Sequence, residues 1–252
     1  MGIKGNIVLV TGGGGGMGRE IGRQFASLGK KVILVDINVD SCKPLAESNA
    51  NILTRQVDIS DPGQLEALVQ DLGVHKLMPD ILINGAGVSP KYGPDGKPWT
   101  TWTMPYEHWR DIMRINIDAA FNICRLLLPH MIEQRYGRIV NIASQAARTG
   151  GAVAPVHYIS SKAAMLGLTK GIAKEVGKYG ITVNAVNPGR IDTPMIHDVS
   201  DEMNREIASR IPVGRLGLPS DIANSITFLC ADESDFLTGT TIEVNGGAYM
   251  GP

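Results

Sequence analysis

Close to the start of the chain, the apolar run Ile7-Val8-Leu9-Val10 leads straight into Thr11-Gly12-Gly13-Gly14-Gly15-Gly16-Met17-Gly18. Four β-branched or aliphatic residues followed by a turn signal read as a buried strand. The glycines then let the backbone turn sharply and let a pyrophosphate approach main-chain N–H groups, while the amino terminus of the next helix adds partial positive charge. A glycine run alone also describes a flexible turn. Its position between a strand and a helix favours the phosphate-binding reading, and Asp36 adds to it: this carboxylate ends the second strand 18 residues after Gly18. An acid there can accept hydrogen bonds from adenosine ribose hydroxyls and repels a 2′-phosphate, which makes NAD the expected cofactor rather than NADP. The alternative for Asp36 is a helix-cap or loop carboxylate.

Working outward, the same kind of run recurs at Lys31 to Val35, Ile52 to Val57, Ile81 to Ile83, Arg138 to Ile142, Thr182 to Val186 and Thr241 to Val244. Between these lie segments with helical spacing, such as Ile21, Phe25 and Leu28, or Leu65, Leu68, Val69 and Leu72. Alternating strands and helices predict right-handed βαβ units: an α/β, single-domain, Rossmann-type doubly wound parallel sheet of about seven strands over residues 1–252. A long helix is predicted from about Tyr106 to Gln134, with Pro129 breaking or kinking it near Leu128. Two stretches fit no periodicity, Ser89 to Pro105 and Pro188 to about Arg215. Both follow strand ends, where open α/β sheets bind ligands, and both are expected to be substrate loops, with surface or subunit packing as the alternative.

Composition narrows the class. Lys plus Arg number 24 against 25 Asp plus Glu, so there is no basic field for nucleic acid and no polybasic membrane patch. No apolar run reaches the length of a membrane span, and the amino terminus reads as neither signal peptide nor myristoylation site. The three cysteines, Cys42, Cys124 and Cys230, are far apart and lack metal or disulfide spacing. A cytoplasmic protein without catalytic metal is expected.

The arrangement Thr11-Gly12-xxx-Gly16-x-Gly18 resembles the short-chain dehydrogenase/reductase family. Further elements resemble that family in order: Asn84-Gly85-Ala86-Gly87, Asn116, Ser144, Tyr158-xxx-Lys162, and Asn187-Pro188-Gly189-Arg190-Ile191-Asp192-Thr193. Gly85 departs from the pattern, standing where a second asparagine is usual, and altered local packing is expected there. The resemblance implies Asn116, Ser144, Tyr158 and Lys162 as catalytic residues. It implies cofactor contacts from Gly12, Gly15, Gly16, Met17, Gly18, Asp36, Asp58, Ile59, Asn84, Gly85, Ala86, Tyr158, Lys162, Pro188, Gly189, Ile191 and Thr193. It also implies that Asn116 binds a water in a proton relay to Lys162, and a homotetramer built through the helices that carry Asn116 and Tyr158 and through the carboxyl end.

The residues support this chemistry independently. A hydride leaves an alcohol carbon only if the hydroxyl proton is removed, and in reverse the new alkoxide must receive one. Tyr158 and Lys162, four residues apart, share one helix face, so an ammonium can approach the phenol and favour phenolate. Ser144 is expected at a strand end, holding the reacting oxygen beside Tyr158. His157, Arg148 and Arg190 are candidate substrate contacts, each with a structural or ion-paired role as the alternative. The expected function is an NAD(H)-linked oxidoreductase acting on a secondary alcohol, polyol or hydroxy acid and its ketone. Alternatives are a 3-oxoacyl carrier-protein or similar ketone reductase and, from another class, a non-catalytic NAD-binding regulatory or structural subunit.

Overall fold

In the computed structural model, which describes residues 2–196 and 199–251, each β-branched run becomes a strand. These are β1 (Ile7–Thr11), β2 (Lys31–Asp36), β3 (Ile52–Gln56), β4 (Ile81–Asn84), β5 (Gly137–Ile142), β6 (Ile181–Pro188) and β7 (Thr241–Val244). They form one sheet in the order β3-β2-β1-β4-β5-β6-β7, and every pair is parallel. The α/β doubly wound expectation holds.

Side-chain alternation along the strands decides which helices cover which face. Val8 and Val10 of β1 join a core under α1 (Gly16–Ser27) and α9 (Pro219–Cys230), with Ile21, Phe25, Ile222 and Ile226. Leu9, between them, points to the opposite core, where α3 (Pro62–Val74), α5 (Ala119–Gln134) and α7 (Val156–Val176) contribute Leu65, Leu68, Leu127, Ile172 and Val176. Shorter helices α2 (Lys43–Ser48), α4 (Tyr106–Met113), α6 (Ala146–Thr149) and α8 (Asp201–Arg210) border these layers. The chain moves outward from β1 to β3 and then returns to place β4 on the other side of β1. This reversal opens a crevice at the carboxyl ends of β1 and β4, where such sheets bind ligands.

The long helix differs from expectation. It is not broken at Pro129, which lies on the exposed side of α5, and the helix runs on to Gln134. A proline costs one i→i−4 bond, but here the carbonyl it strands belongs to the exposed Arg125 and faces water. The irregularity sits earlier, in a π turn over Arg114–Asp118 that separates α4 from α5 and carries Asn116. Single π turns inside α-helices often mark functional positions.

Candidate active site

The glycine turn is shaped by close approaches. Gly12 has φ +72°, and a Cβ on it would meet the Ala86 backbone nitrogen at 2.8 Å. A Cβ on Gly18 would overlap the Gly12 carbonyl. Thr11, at the end of β1, ties the turn to the strand beside it: its Oγ1 accepts from the Gly85 and Ala86 amides at 3.1 and 3.3 Å. A side chain on Gly85 would press on the Thr11 carbonyl at 2.8 Å, so the departure from the family pattern permits this contact. The neighbouring Asn84 donates to Asn141 Oδ1 (2.8 Å), and Asn141 to Thr169 Oγ1 (2.9 Å), joining β4, β5 and α7 across the buried sheet.

Helix α1 follows its N-cap residue Gly15 without a side-chain cap and has no acidic residue in its first turn. Its free N–H groups and positive end therefore form an anion cradle that a single Cβ would fill, and the residues fit a dinucleotide pyrophosphate. Asp36 lies beside it. Its Oδ2 accepts from the Gly14 amide at 2.8 Å and its Oδ1 from the Asn38 amide at 3.1 Å, so the carboxylate braces the turn as well as facing the ribose position. Asp58 uses Oδ1 to hold the Ser60 amide (2.9 Å) and hydroxyl (2.7 Å), and Ile59 lines a small recess with Thr11, Asn84 and Ala86. From the far side, Thr193 approaches Gly16, while Gly189 packs against Asn245.

Between this cradle and α7 lies a cavity of about 220 Å³. Met17, Ser144, Tyr158, Lys162, Pro188, Gly189, Arg190, Ile191 and Thr193 all border it, which brings three of the four catalytic candidates together with the expected nicotinamide-side residues. Ser144 leaves the end of β5 and is held by the Ala146 amide donating to its Oγ at 3.1 Å. Burial raises the Tyr158 phenol above its ordinary value, and the Ser144 hydroxyl, hydrogen bonding to it, offsets part of that rise. Lys162 is buried and donates from Nζ to the Ile142 carbonyl at 2.7 Å, with Nζ 5.8 Å from the Tyr158 ring centroid. Burial pushes its ammonium down to about 8. Burial is thus the largest influence on the phenol, while the Lys162 ammonium is directed toward the Ile142 carbonyl.

Asn116 is fully buried behind Lys162. Its Nδ2 donates to the Val88 carbonyl and to Ser161 Oγ, both at 3.0 Å, and its Oδ1 accepts from the Val88 amide at 2.9 Å. These bonds pin the π turn to α7 and to the chain leaving β4. Gly87 leaves room for Asn116 Oδ1 and Lys162 Nζ, each 3.3 Å from where its Cβ would stand.

Two of the sequence candidates lie elsewhere. His157 does not border the cavity; one residue before Tyr158, it is rotated about 100° around the helix, and it packs fully buried at 5.1 Å from the His108 ring. Burial, reinforced by His108, pushes it down to about 4, so it is a neutral core side chain. Arg148 is ion-paired to Glu243 at 3.3 Å, outside the cavity lining. Conversely, Thr11 had entered only as part of the glycine motif and Lys91, Ile207 and Ile211 only as part of the expected loops, while Ser161 and Gln145 shape the site without an assigned role. A hydroxyl residue ending β1 was a readable signal for Thr11; the others depend on tertiary approach.

A family model described as Enoyl-(Acyl carrier protein) reductase matches residues 12–249. The chain belongs to the short-chain dehydrogenase/reductase family. Among its short-chain dehydrogenase/reductase relatives, the 3-oxoacyl-[acyl-carrier-protein] reductase FabG of Escherichia coli (strain K12) is 34% identical over 251 residues, covering 99% of this chain and 100% of that protein. The FabG of Aquifex aeolicus (strain VF5) is 34% identical, covering 98% of each. A crystal structure of a 3-oxoacyl-[acyl-carrier protein] reductase from Brucella melitensis superposes with a TM-score of 0.90 at 37% identity, covering 98% of this chain and 92% of that one. Another from Brucella melitensis, with bound NAD, gives 0.88 at 36% over the same shares. The chain is therefore an oxidoreductase of this family. Among the described residues no helix is long and apolar enough to cross a membrane, and no cluster of His, Cys, Asp and Glu could hold a metal ion.

Proposed function

We propose that this protein reduces a ketone, of the 3-oxoacyl class carried on a thioester, to the alcohol with NADH, and that Tyr158 protonates the carbonyl oxygen. The carrying observation is the Tyr158 phenol, hydrogen bonded to Ser144 and held above its ordinary value by burial, which favours its protonated form, in a cavity whose lining includes the apolar Ala146, Val153, Ala154, Ile196, Ile207 and Ile211. A reductase must start with a protonated acid; a dehydrogenase must start with phenolate. The names borne by the relatives support the same reading over an alcohol or polyol dehydrogenase.

The bound dinucleotide would supply the hydride. Gly12, Gly16, Met17 and Gly18 would hold its pyrophosphate, with Asp36 at the adenosine ribose and Pro188, Gly189, Ile191 and Thr193 on the nicotinamide side. Ser144 and Tyr158 would hold the substrate oxygen from two directions and polarise it. Lys162, protonated, would orient the cofactor ribose and stabilise the phenolate left after proton transfer. Asn116 would fix Lys162 through the Val88 and Ser161 bonds. The loops at 89–105 and 188–215 would close the substrate side, Ser89 and Lys91 from the first and Ile196, Ile207 and Ile211 from the second reaching the lining. Assembly as a homotetramer is part of this reading. Phe121 and Tyr106, on the two helices flanking Asn116, are 53% and 69% exposed, and subunit contact would cover them.

Two results are expected. The wild type prefers NADH to NADPH in kcat/KM, and Asp36→Ala narrows that preference by removing the charge that repels a 2′-phosphate. A wild type that prefers NADPH would refute the cofactor assignment. For the pH profile, the working form carries Lys162 protonated, so kcat/KM for reduction is level below and falls as pH rises through about 8. A profile still level well above that pH would remove the ammonium from the mechanism.

A further inference from the structure

The described lining of the cavity holds no aspartate or glutamate, and it includes the cations Lys162 and Arg190. Lys162 is committed to the Ile142 carbonyl and to the proposed proton transfer. Arg190 stands apart from the other described arginines near the site because its partners are neutral. Nε and Nη2 donate to Asn204 Oδ1 at 3.1 and 2.6 Å, and Nη2 reaches the Ile196 carbonyl at 3.5 Å. Nη1 makes no hydrogen bond to a described residue, and no described carboxylate pairs with the guanidinium.

The amide that receives Arg190 is itself fixed. Asn204, buried on α8, donates to the Ile196 and Val199 carbonyls at 3.3 and 3.2 Å. The Arg190 backbone is clamped too, its carbonyl accepting from the Gly217 amide at 2.9 Å. One edge of the fork is thus bound to neutral acceptors, and no described residue accepts from Nη1. Burial lowers the guanidinium below its ordinary value, the signature of a cation given little compensation. An arginine kept in this state costs stability unless a ligand anion completes it. Arg148, satisfied by Glu243 outside the cavity, shows the contrasting arrangement.

We propose that Arg190 is a specificity-determining residue that binds an anionic group on the substrate, a carboxylate on the acyl portion of the ketone, through its Nη1 edge. This rests on the carbonyl-reduction reading above. It names a narrower substrate class: oxoacyl compounds that carry a free acid, rather than neutral aliphatic chains.

The test uses two 3-oxoacyl N-acetylcysteamine thioesters of equal chain length, one ending in methyl and one in carboxylate, each with NADH. The wild type is expected to favour the carboxylate in kcat/KM roughly ten- to hundredfold, the range of a charge-assisted hydrogen bond. In Arg190→Met the preference collapses, mostly through KM for the carboxylate, and Arg190→Lys recovers part of it. Added salt weakens the preference in the wild type only. No preference in the wild type overturns the proposal. So does an Arg190→Met variant that slows both thioesters equally, which marks a scaffold for α8. A variant that mainly loses NADH affinity in a fluorescence titration assigns the cation to the cofactor pyrophosphate, and also overturns it. If neither thioester is reduced, the reductase reading fails; calorimetric binding of the two compounds to the NADH-loaded enzyme then still decides the role of Arg190.

Discussion

Tyr158→Phe is expected to lower kcat for ketone reduction by about 10²-fold or more while NADH still binds. The substitution keeps the ring, and with it the apolar packing on α7. It removes the proton that the proposed mechanism passes to the substrate oxygen. Ser144 cannot substitute, because its Oγ already accepts from the Ala146 amide and its own proton would have to leave a hydroxyl of much higher pKa. Lys162 is turned toward the Ile142 carbonyl. Steady-state NADH oxidation gives kcat, and fluorescence titration of NADH gives the binding control. Turnover within a few-fold of wild type would show that the proton comes from elsewhere, and the mechanism would be abandoned.

Gly18→Ala carries the second large effect. The new methyl group would overlap the Gly12 carbonyl, a backbone atom with nowhere to go because Gly12 is itself pressed against Ala86. Either the turn opens or α1 shifts on the sheet, and both disturb the N–H groups of the anion cradle. Overpacking of this kind costs roughly 1–3 kcal/mol. Dinucleotide affinity is expected to fall by more than about tenfold, with the unfolding free energy from urea titration falling by an amount within that range. Unchanged affinity together with unchanged stability would mean that the turn does not hold the cofactor as described.

Much of this molecule is legible in its sequence, for reasons that can be named. The central strands β1, β2 and β4 announce themselves because parallel strands buried on both faces must be nearly continuous apolar runs, and Val8, Leu9 and Val10 serve two different cores from adjacent positions. The glycine turn and the Tyr158–Lys162 pair are also local, set by chain geometry over a few residues. What escaped is what only tertiary contact determines. The fate of Pro129 depended on which side of α5 faces water. The π turn depended on Asn116 finding Val88 and Ser161, partners 28 and 45 residues away. His157 drew notice through its neighbour Tyr158, yet adjacent helical residues point in different directions. The two arginines looked alike as residue types, and only the position of Glu243 beside one of them separates an ion-paired group outside the cavity from an arginine of the cavity lining held by neutral partners.

The wide turn at Arg114–Asp118 has a bearing on how this chain can change over time. An α-helix advances about 100° per residue, so trimming one residue to make the segment regular would swing everything on one side of it by that angle. Either Asn116 would leave Val88 and Ser161, or α5 would lift Ile123 and Leu127 out of the sheet-side core. The most regular helix is thus incompatible with this pairing of core and catalytic face. Single-residue deletions here should be purged, whereas the exposed stretch Gly93 to Lys97, pinned at its stem by the Tyr92–Pro98 bridge, is free to vary in length. Descendants of this chain would then diversify by redrawing what covers the substrate, while the irregular helix beneath is inherited unaltered.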